Sequence, residues 1–220
     1  MIVTIDGPAG SGKSTVARLI AQRLGVRFLD TGAMYRAVAL AVLRASIREA
    51  DADAVGNLAE STAIRFDGDR LLLNQADVSE EIRSPNVTAV SSIIASNPRV
   101  RACLVRMQQE IGRQGSLVTE GRDQGTIVFP EAEFKFFLTA SLDARAWRRQ
   151  RELTTSGTNL PLSVVRDQLR QRDDRDEKRQ HAPMKPADDA RIVDTSHLTI
   201  AQVVDLVVND VQSRGPATSA

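Results

Sequence analysis

A glycine-rich loop close to the start of the chain constrains its fold more than any other feature. Residues 7–14 read Gly-Pro-Ala-Gly-Ser-Gly-Lys-Ser, which matches the P-loop pattern that cradles phosphate groups. The β-branched run of residues 1–5 predicts a buried strand before the loop. The apolar spacing of residues 14–24 predicts an amphipathic helix after it. This strand–loop–helix order is the structural context that a P-loop requires.

Each part of the loop has a physical task. Glycines let successive backbone N–H groups face one anion, and the helix that starts at Lys13 adds its positive end. Lys13 supplies a cation for the β- and γ-phosphates, and the Ser14 hydroxyl can bind Mg²⁺. We therefore predict ATP and Mg²⁺ as cofactors, with Ser14 as the metal ligand. The predicted nucleotide-binding residues are Gly7, Pro8, Ala9, Gly10, Ser11, Gly12, Lys13, Ser14 and Thr15.

The remaining sequence predicts an α/β fold with a mainly parallel central sheet flanked by helices. The opening of the chain alternates strand, helix, strand and helix, with Tyr35, Val38, Ala39 and Val42 on one stripe of the second helix, as in proteins with a mainly parallel sheet. Residues 63–66 and 70–74 flank Asp67-Gly68-Asp69 and predict a β-hairpin, and Asp77–Arg83 predicts another short extended segment. We interpret these strands as a small antiparallel insert. The other predicted elements are helices at 87–94, 100–111, 141–153, 162–179 and 200–211, strands at 116–119, 134–138 and 191–194, and a loop at 156–161.

Composition excludes several classes of protein. The net charge of +1 disfavours a nonspecific nucleic-acid binder, and the single cysteine, Cys103, excludes a disulfide within the chain. No apolar run approaches the roughly 18 residues that span a bilayer. We expect a cytoplasmic monomer without nucleic-acid or membrane partners, with a frayed tail at 214–220.

Arginine clusters point to a small-molecule kinase among the P-loop proteins. The Asn-Lys-x-Asp motif of GTPases is absent from the sequence, and the strand at 116–119 is short for a motor ATPase. Kinases of this fold hold both substrates with arginines. The three clusters are residues 30–36, 121–123 and 172–179.

Each cluster also has a structural alternative. Thr31 could instead cap the second helix. The 121–123 segment could be a charged surface turn, and the 172–179 run could be a solvated, salt-bridged helix face. On that helix Arg172, Asp176 and Arg179 share one face and Arg175 lies at its edge.

The order of these motifs resembles bacterial-type cytidylate kinases along nearly the whole chain, from Ile2 to about Val211. The resemblance implies transfer of the ATP γ-phosphoryl group to CMP or dCMP, on the P-loop nucleoside-monophosphate-kinase fold. It implies a core at about 1–30, 84–140 and 185–212, a monophosphate-binding region with the β insert at about 31–84, and a helical lid at about 145–180. The segments that carry it are residues 4–14, 29–36, 77–83, 98–101, 120–130, 171–176 and 182–189.

The resemblance also implies the site residues. The implied catalytic residues are Lys13, Arg122, Arg172, Arg175 and Arg179. The implied CMP-binding residues are Thr31, Arg36, Ser92, Arg101, Arg122, Asp123, Arg172, Asp176 and Arg179, with the two aspartates facing the sugar.

Four positions depart from the family pattern, and two other functions stay open. Thr31 stands where the family has serine, Glu120 where it has aspartate, Gln124 where it has methionine, and Ser14 where it has glycine, which restores the general P-loop hydroxyl for the metal. The first alternative is a P-loop kinase for UMP, AMP or shikimate. The second is a P-loop protein that binds nucleotide without turnover. We assign no catalytic role to His181 or His197.

Overall fold

The computed structural model describes residues 1–155 and 157–214. Ser156, in the loop predicted at 156–161, and residues 215–220, in the tail predicted to fray, lie outside the described residues.

A five-stranded sheet with the order β2–β6–β1–β7–β8 carries the phosphate-binding loop. The central strand β1 pairs in parallel with both β6 and β7, and β7 pairs in parallel with β8. The register sets Ile5 beside Glu120, so β1 and β6 end side by side. Polar residues that follow these two strands therefore share one edge of the sheet. The strands are β1 (Ile2–Asp6), β2 (Arg27–Asp30), β6 (Leu117–Glu120), β7 (Phe134–Thr139) and β8 (Arg191–Asp194).

Eight α-helices complete the described part of the chain. Helices α1 and α8 pack on each other and contribute, with the sheet, to one apolar core. Fully buried side chains in this core include Val3, Ile20 and Val207. The helices are α1 (Lys13–Leu24), α2 (Thr31–Arg44), α3 (Ala52–Ser61), α4 (Pro85–Ile94), α5 (Pro98–Arg113), α6 (Leu142–Thr155), α7 (Leu162–Glu177) and α8 (Ile200–Arg214).

The antiparallel insert is present, but it is shorter than the sequence suggested. Its strands are β3 (Ile64–Asp67), β4 (Arg70–Leu73) and β5 (Ala76–Asp77). The prediction of an extended segment over Asp77–Arg83 is wrong beyond Asp77. The Asp77 carboxylate accepts hydrogen bonds from the backbone and hydroxyl of Ser79, at 3.0 and 2.6 Å, and this turns the chain. A 3₁₀ turn at Glu81–Arg83 then buries Ile82.

Helix α3 was not predicted, although its start carries a clear signal. The Asp51 side chain caps it by accepting a hydrogen bond from Ala54 N at 3.1 Å. Val55 and Ala59 are buried on one side of the helix, which packs against α5. The helix is short, and its only large apolar side chains are those of Val55 and Leu58, so few positions show its apolar face.

The chain divides into two compact units. One comprises Met1–Leu29 and the chain from Gly115 onward, and the other comprises Asp30–Gln114. The second unit contains α2–α5 and the small sheet, and α2 packs against α4. A parallel sheet with flanking helices and a separate antiparallel sheet confirm the predicted fold class. Among the described helices, none combines the length and apolar character that a membrane crossing needs.

Candidate active site

The phosphate-binding loop connects β1 to α1, and glycine is required at its first position. Gly7 has φ +140°, and a Cβ atom there would lie 2.0 Å from the Leu138 carbonyl oxygen on β7. At the other end, Gly12 has φ +91° and brings no side chain to cap α1. The first amides of α1 can therefore serve an anion, as the P-loop motif predicts.

Lys13 folds back over the loop that precedes it. Its Nζ donates a hydrogen bond to the Pro8 carbonyl oxygen at 2.7 Å, and the residue is only 5% exposed. Burial lowers the pKa of Lys13, and the positive charge of Arg122 lowers it further. The charge of buried Lys13 is therefore not fully balanced by nearby carboxylates, and this favours binding of a polyphosphate.

A hydroxyl and a carboxylate lie together where the loop meets the end of β6. Ser14 Oγ donates a hydrogen bond to Glu120 Oε1 at 2.9 Å, and Glu120 is 5% exposed. Hard oxygen donors of this kind suit Mg²⁺, which usually takes one or two protein ligands and completes its shell with phosphate and water. Residues 1–155 and 157–214 contain no cluster of three or more His, Cys, Asp or Glu able to hold a metal by themselves. The donor set therefore fits Mg²⁺ bound together with a nucleotide.

A buried carboxylate at the end of β1 fixes the segment that follows β6. Asp6 accepts hydrogen bonds from the backbone N–H groups of Gln124 and Gly125, at 2.9 and 2.8 Å. The Thr119 hydroxyl donates to Gln124 Oε1 at 2.9 Å, which gives this departure from the family pattern a partner. Asp123 is only 4% exposed. The alternative of a charged surface turn at 121–123 is therefore wrong, because Gly121 and Asp123 are both buried. The chain continues into a π-helical turn at Gln124–Val128.

The buried carboxyl group of Asp6 is expected to make the unfolding free energy depend on pH. Burial raises the pKa of Asp6 to about 7, against the effect of its two backbone donors. The folded protein therefore holds this proton more tightly than the unfolded chain, so the contribution of Asp6 to the unfolding free energy falls as pH rises from about 4 to about 7.

We expect Asp6→Asn to remove this slope. Urea unfolding at pH 5 and pH 7.5 should show the stability of the native protein falling relative to the variant by roughly 3 kcal/mol over the window. Asp205→Asn, at an exposed ion pair with Arg23, is the control and should show no such change. A constant difference between Asp6→Asn and the native protein at both pH values would contradict the prediction.

One carboxylate on α7 holds two arginines. Asp176 Oδ2 accepts from Arg122 Nε at 2.8 Å, and Asp176 Oδ1 accepts from Arg179 Nη2. Burial alone would raise the pKa of Asp176, but the two guanidinium groups hold it below its ordinary value. Asp176 is 1% exposed, so this face of α7 is not the solvated, salt-bridged face considered as an alternative.

The other two arginines of this cluster differ in exposure. Arg172 is half-buried on the same side of α7 and lies close enough to lower the pKa of Asp176 further. Arg175 is exposed, and its Nε donates to the Gln171 carbonyl oxygen of its own helix at 3.2 Å. The structure therefore gathers Arg122, Arg172 and Arg179 around Asp176 and leaves Arg175 outside that group.

The second unit contains the start of α2, where the alternative role of Thr31 as the helix cap does not hold. Asp30, rather than Thr31, caps the helix by accepting from Ala33 N at 2.8 Å. Arg36, one turn in, donates to the same carboxylate at 3.2 Å. A Cβ on Gly32 would lie 3.0 Å from Arg36 Nη1, so glycine allows the guanidinium to cross the helix start.

Several buried polar atoms in the second unit are suited to binding a polar ligand. Arg101 on α5 is 6% exposed and donates to the Tyr35 hydroxyl at 3.2 Å. Ser92 Oγ on α4 and Arg36 Nε are both buried, and no hydrogen-bond partner is found for them among the described residues. Unsatisfied buried polar groups are costly, so a bound polar molecule would explain why these are kept.

Sequence reasoning missed three buried charged residues around the loop. The sequence pattern gives Asp6 no role, places Arg145 only within the helical lid, and places Asp173 only within a charged run. Asp173 is three residues before Asp176, so helical spacing could have indicated that both face inward. Their contacts, however, depend on how separate helices pack.

Comparison with known proteins points to one family. The sequence model of the cytidylate kinase family matches residues 3–213. The chain is 48% identical over 219 residues to the cytidylate kinase of Mycobacterium avium strain 104, covering 97% of this chain and 96% of the relative. It is 43% identical over 210 residues to the cytidylate kinase of Caldanaerobacter subterraneus subsp. tengcongensis, covering 96% and 94%. An uncharacterized protein from Eubacterium ventriosum shares the fold, with a TM-score of 0.53 at 11% identity, covering 97% of this chain and 99% of the other.

Proposed function

This chain belongs to the cytidylate kinase family, and on that basis we propose that it transfers the γ-phosphoryl group of ATP to CMP or dCMP. The observation that carries the proposal is nearly full-length identity of 43–48% to cytidylate kinases, together with a formed P-loop. The products would be ADP and CDP or dCDP.

The loop residues 7–15 bind ATP in this proposal. Backbone N–H groups of this loop, other than the Ala9 N–H that donates to Asp173, hold the phosphates together with Lys13, and the low pKa of free Lys13 rises again once the polyanion is bound. Ser14 and Glu120 would hold Mg²⁺, which supplies positive charge to the phosphate oxygens when it is bound. Both groups are already in hydrogen-bond contact, so little rearrangement is needed.

The acceptor residues keep the assignment that the family resemblance gives them. Arginines suit the acceptor because a guanidinium can bind phosphate in a bidentate manner. The buried atoms of Ser92 and Arg36 that have no partner among the described residues support a polar ligand in the second unit. The proposed CMP-binding residues are Thr31, Arg36, Ser92, Arg101, Arg122, Asp123, Arg172, Asp176 and Arg179.

Phosphoryl transfer here needs positioning and charge stabilisation rather than a general base. An oxygen of the acceptor phosphate is already anionic near neutral pH. It attacks the γ-phosphorus in line, a new O–P bond forms, and the bond to the bridging oxygen of ADP breaks. Lys13, Arg122, Arg172 and Arg179 stabilise the charge on the transferring group, and we propose a lesser contribution from the exposed Arg175.

A coupled assay that follows ADP release tests the acceptor directly. With ATP and Mg²⁺, we expect turnover with CMP and dCMP, and a kcat/KM at least about tenfold lower with UMP or AMP, because a pocket that hydrogen-bonds one base leaves buried groups unpaired with another. Shikimate should give no turnover. A preference for any other acceptor would contradict the proposal, and tight ATP binding with no turnover would favour a nucleotide-binding protein.

We also propose that the chain works as a cytoplasmic monomer, with the core, monophosphate-binding and lid regions placed as the resemblance implies. The mass in solution, measured by light scattering, should be that of one chain both with and without nucleotide.

A further inference from the structure

The middle of the phosphate-binding loop is held by a buried ion pair that joins α6 to α7. Arg145 Nη1 donates to the Ala9 carbonyl oxygen at 3.1 Å, and Ala9 N donates to Asp173 Oδ1 at 3.3 Å. Arg145 also donates to the other oxygen of Asp173. The backbone N–H and C=O of one loop residue, Ala9, are therefore each held by a charged side chain, and the two charged residues are 7% and 8% exposed.

Apolar packing fixes the same point of the loop. Ala9 is 5% exposed and lies in a small apolar cluster with Ala146 of α6 and Val165 and Leu169 of α7. The next residue, Gly10, touches α6 closely, since a Cβ there would lie 3.3 Å from both Cβ and the carbonyl oxygen of Arg145. Residues 9–10 thus pack with the helix pair, whereas Gly7 packs against β7.

We propose that Arg145 and Asp173 are positioning residues that set the orientation of the two peptide groups that meet at Ala9, and through them the affinity of the loop for the ATP phosphates. The proposal rests on the proposed function as an ATP-dependent kinase. Neither residue is assigned contact with the transferring group. Both residues act by positioning the loop, so replacing them should weaken ATP binding more than acceptor binding.

The pairing matters because the loop binds a polyanion. A carboxylate beside the loop would repel phosphate unless a cation neutralised it, and Arg145 provides that charge. Removing Arg145 alone leaves an unpaired buried carboxylate next to the phosphate site and also removes the donor to Ala9. Removing Asp173 alone loses one loop contact but creates no repulsion.

Because the two removals differ in this way, we expect four variants to lose ATP affinity to different degrees. Asp173→Ala should weaken ATP binding about tenfold, because a buried hydrogen bond to a charged group is lost. Arg145→Met should weaken it more, and the double variant should recover part of that loss. Asp173→Asn keeps an oxygen acceptor for Ala9 N and should stay within about threefold of the native protein.

The chain offers a matched control in the exposed ion pair Arg166–Asp143, at 3.3 Å, which joins the same two helices away from the loop. Asp143→Ala should bind ATP within about twofold of the native protein. We would measure the ATP dissociation constant by calorimetry without acceptor, kcat and both KM values, and the thermal midpoint. The KM for ATP should follow the dissociation constant, while the KM for CMP should change less than twofold.

The outcomes separate positioning from stability and from the proposed function itself. ATP affinity unchanged in Asp173→Ala, even with a lower thermal midpoint, would overturn the proposal, and so would tighter ATP binding. If Arg145→Met does not fold, equal affinity loss in Asp173→Asn and Asp173→Ala would overturn it. Failure of the proposed function would appear separately, as absent CMP turnover in the native protein.

Discussion

Replacing Lys13 with alanine is expected to lower kcat by about a thousandfold or more. Lys13 is a buried cation in the loop, and its ammonium lies 2.7 Å from the Pro8 carbonyl oxygen. When ATP is bound, it would lie against the phosphates, where negative charge moves toward the leaving ADP as the bond breaks. No other group of the loop can supply that charge, because the other loop donors are neutral amides and the hydroxyls of Ser11 and Ser14.

The same change should leave the fold intact. A lysine whose pKa is lowered by burial costs free energy to charge, so its removal should leave the thermal midpoint unchanged or raise it slightly. Single-turnover kinetics and a thermal melt, with the exposed Lys178→Ala as control, separate chemistry from folding. A Lys13→Ala variant with near-native kcat would contradict the proposed mechanism.

Replacing Arg179 with alanine is expected to raise the KM for CMP about thirtyfold or more and to change ATP affinity less than about threefold. Arg179 lies just beyond the end of α7, and its side chain is 9% exposed and pairs with Asp176. Its loss would remove a guanidinium assigned to the acceptor phosphate and leave Asp176 paired mainly with Arg122. The phosphate-binding loop would be unchanged, so ATP binding should be retained.

The neighbouring helix face supplies the control for this second change. Arg170→Ala removes an exposed arginine from the same helix and should change neither KM. Steady-state kinetics with each substrate varied in turn, together with calorimetric ATP binding, give the comparison. Equal loss of CMP use and ATP binding in Arg179→Ala would indicate that Arg179 supports the structure instead.

The loop and the parallel strands could be predicted because their signals are local. Gly7–Ser14 has a fixed spacing, and strands such as 134–138 are short β-branched or aromatic runs with clear ends. The shared face of Arg172 and Asp176 also follows from helical spacing; Asp176 is buried and Arg172 half-buried, whereas Arg179 lies just beyond the end of the helix. Features that depend on a single segment of the chain can therefore be identified from the sequence.

The other site contacts could not be predicted, because they join segments that are distant in sequence. Arg145 and Asp173 are 28 residues apart, and each looks like a surface charge until α6 and α7 pack against Ala9. Asp6 likewise gains its role only from amides 118 and 119 residues away. Arg175 shows the opposite case, since its neighbours in sequence suggested a site role and the helix turns it to solvent.

The central place of β1 in the sheet has a consequence for how the protein is made. Its strand partners begin at Leu117 and Phe134, so β1 has no strand partner in the sheet until residue 117 has been synthesised. Gly7 in turn rests against Leu138, so the loop that begins at residue 7 acquires its shape only after residue 138 has emerged. Pairings this distant in sequence are slow to form. Nucleotide affinity is therefore a late product of folding, and nascent chains shorter than about 140 residues would carry the ATP-binding sequence without the ability to bind ATP.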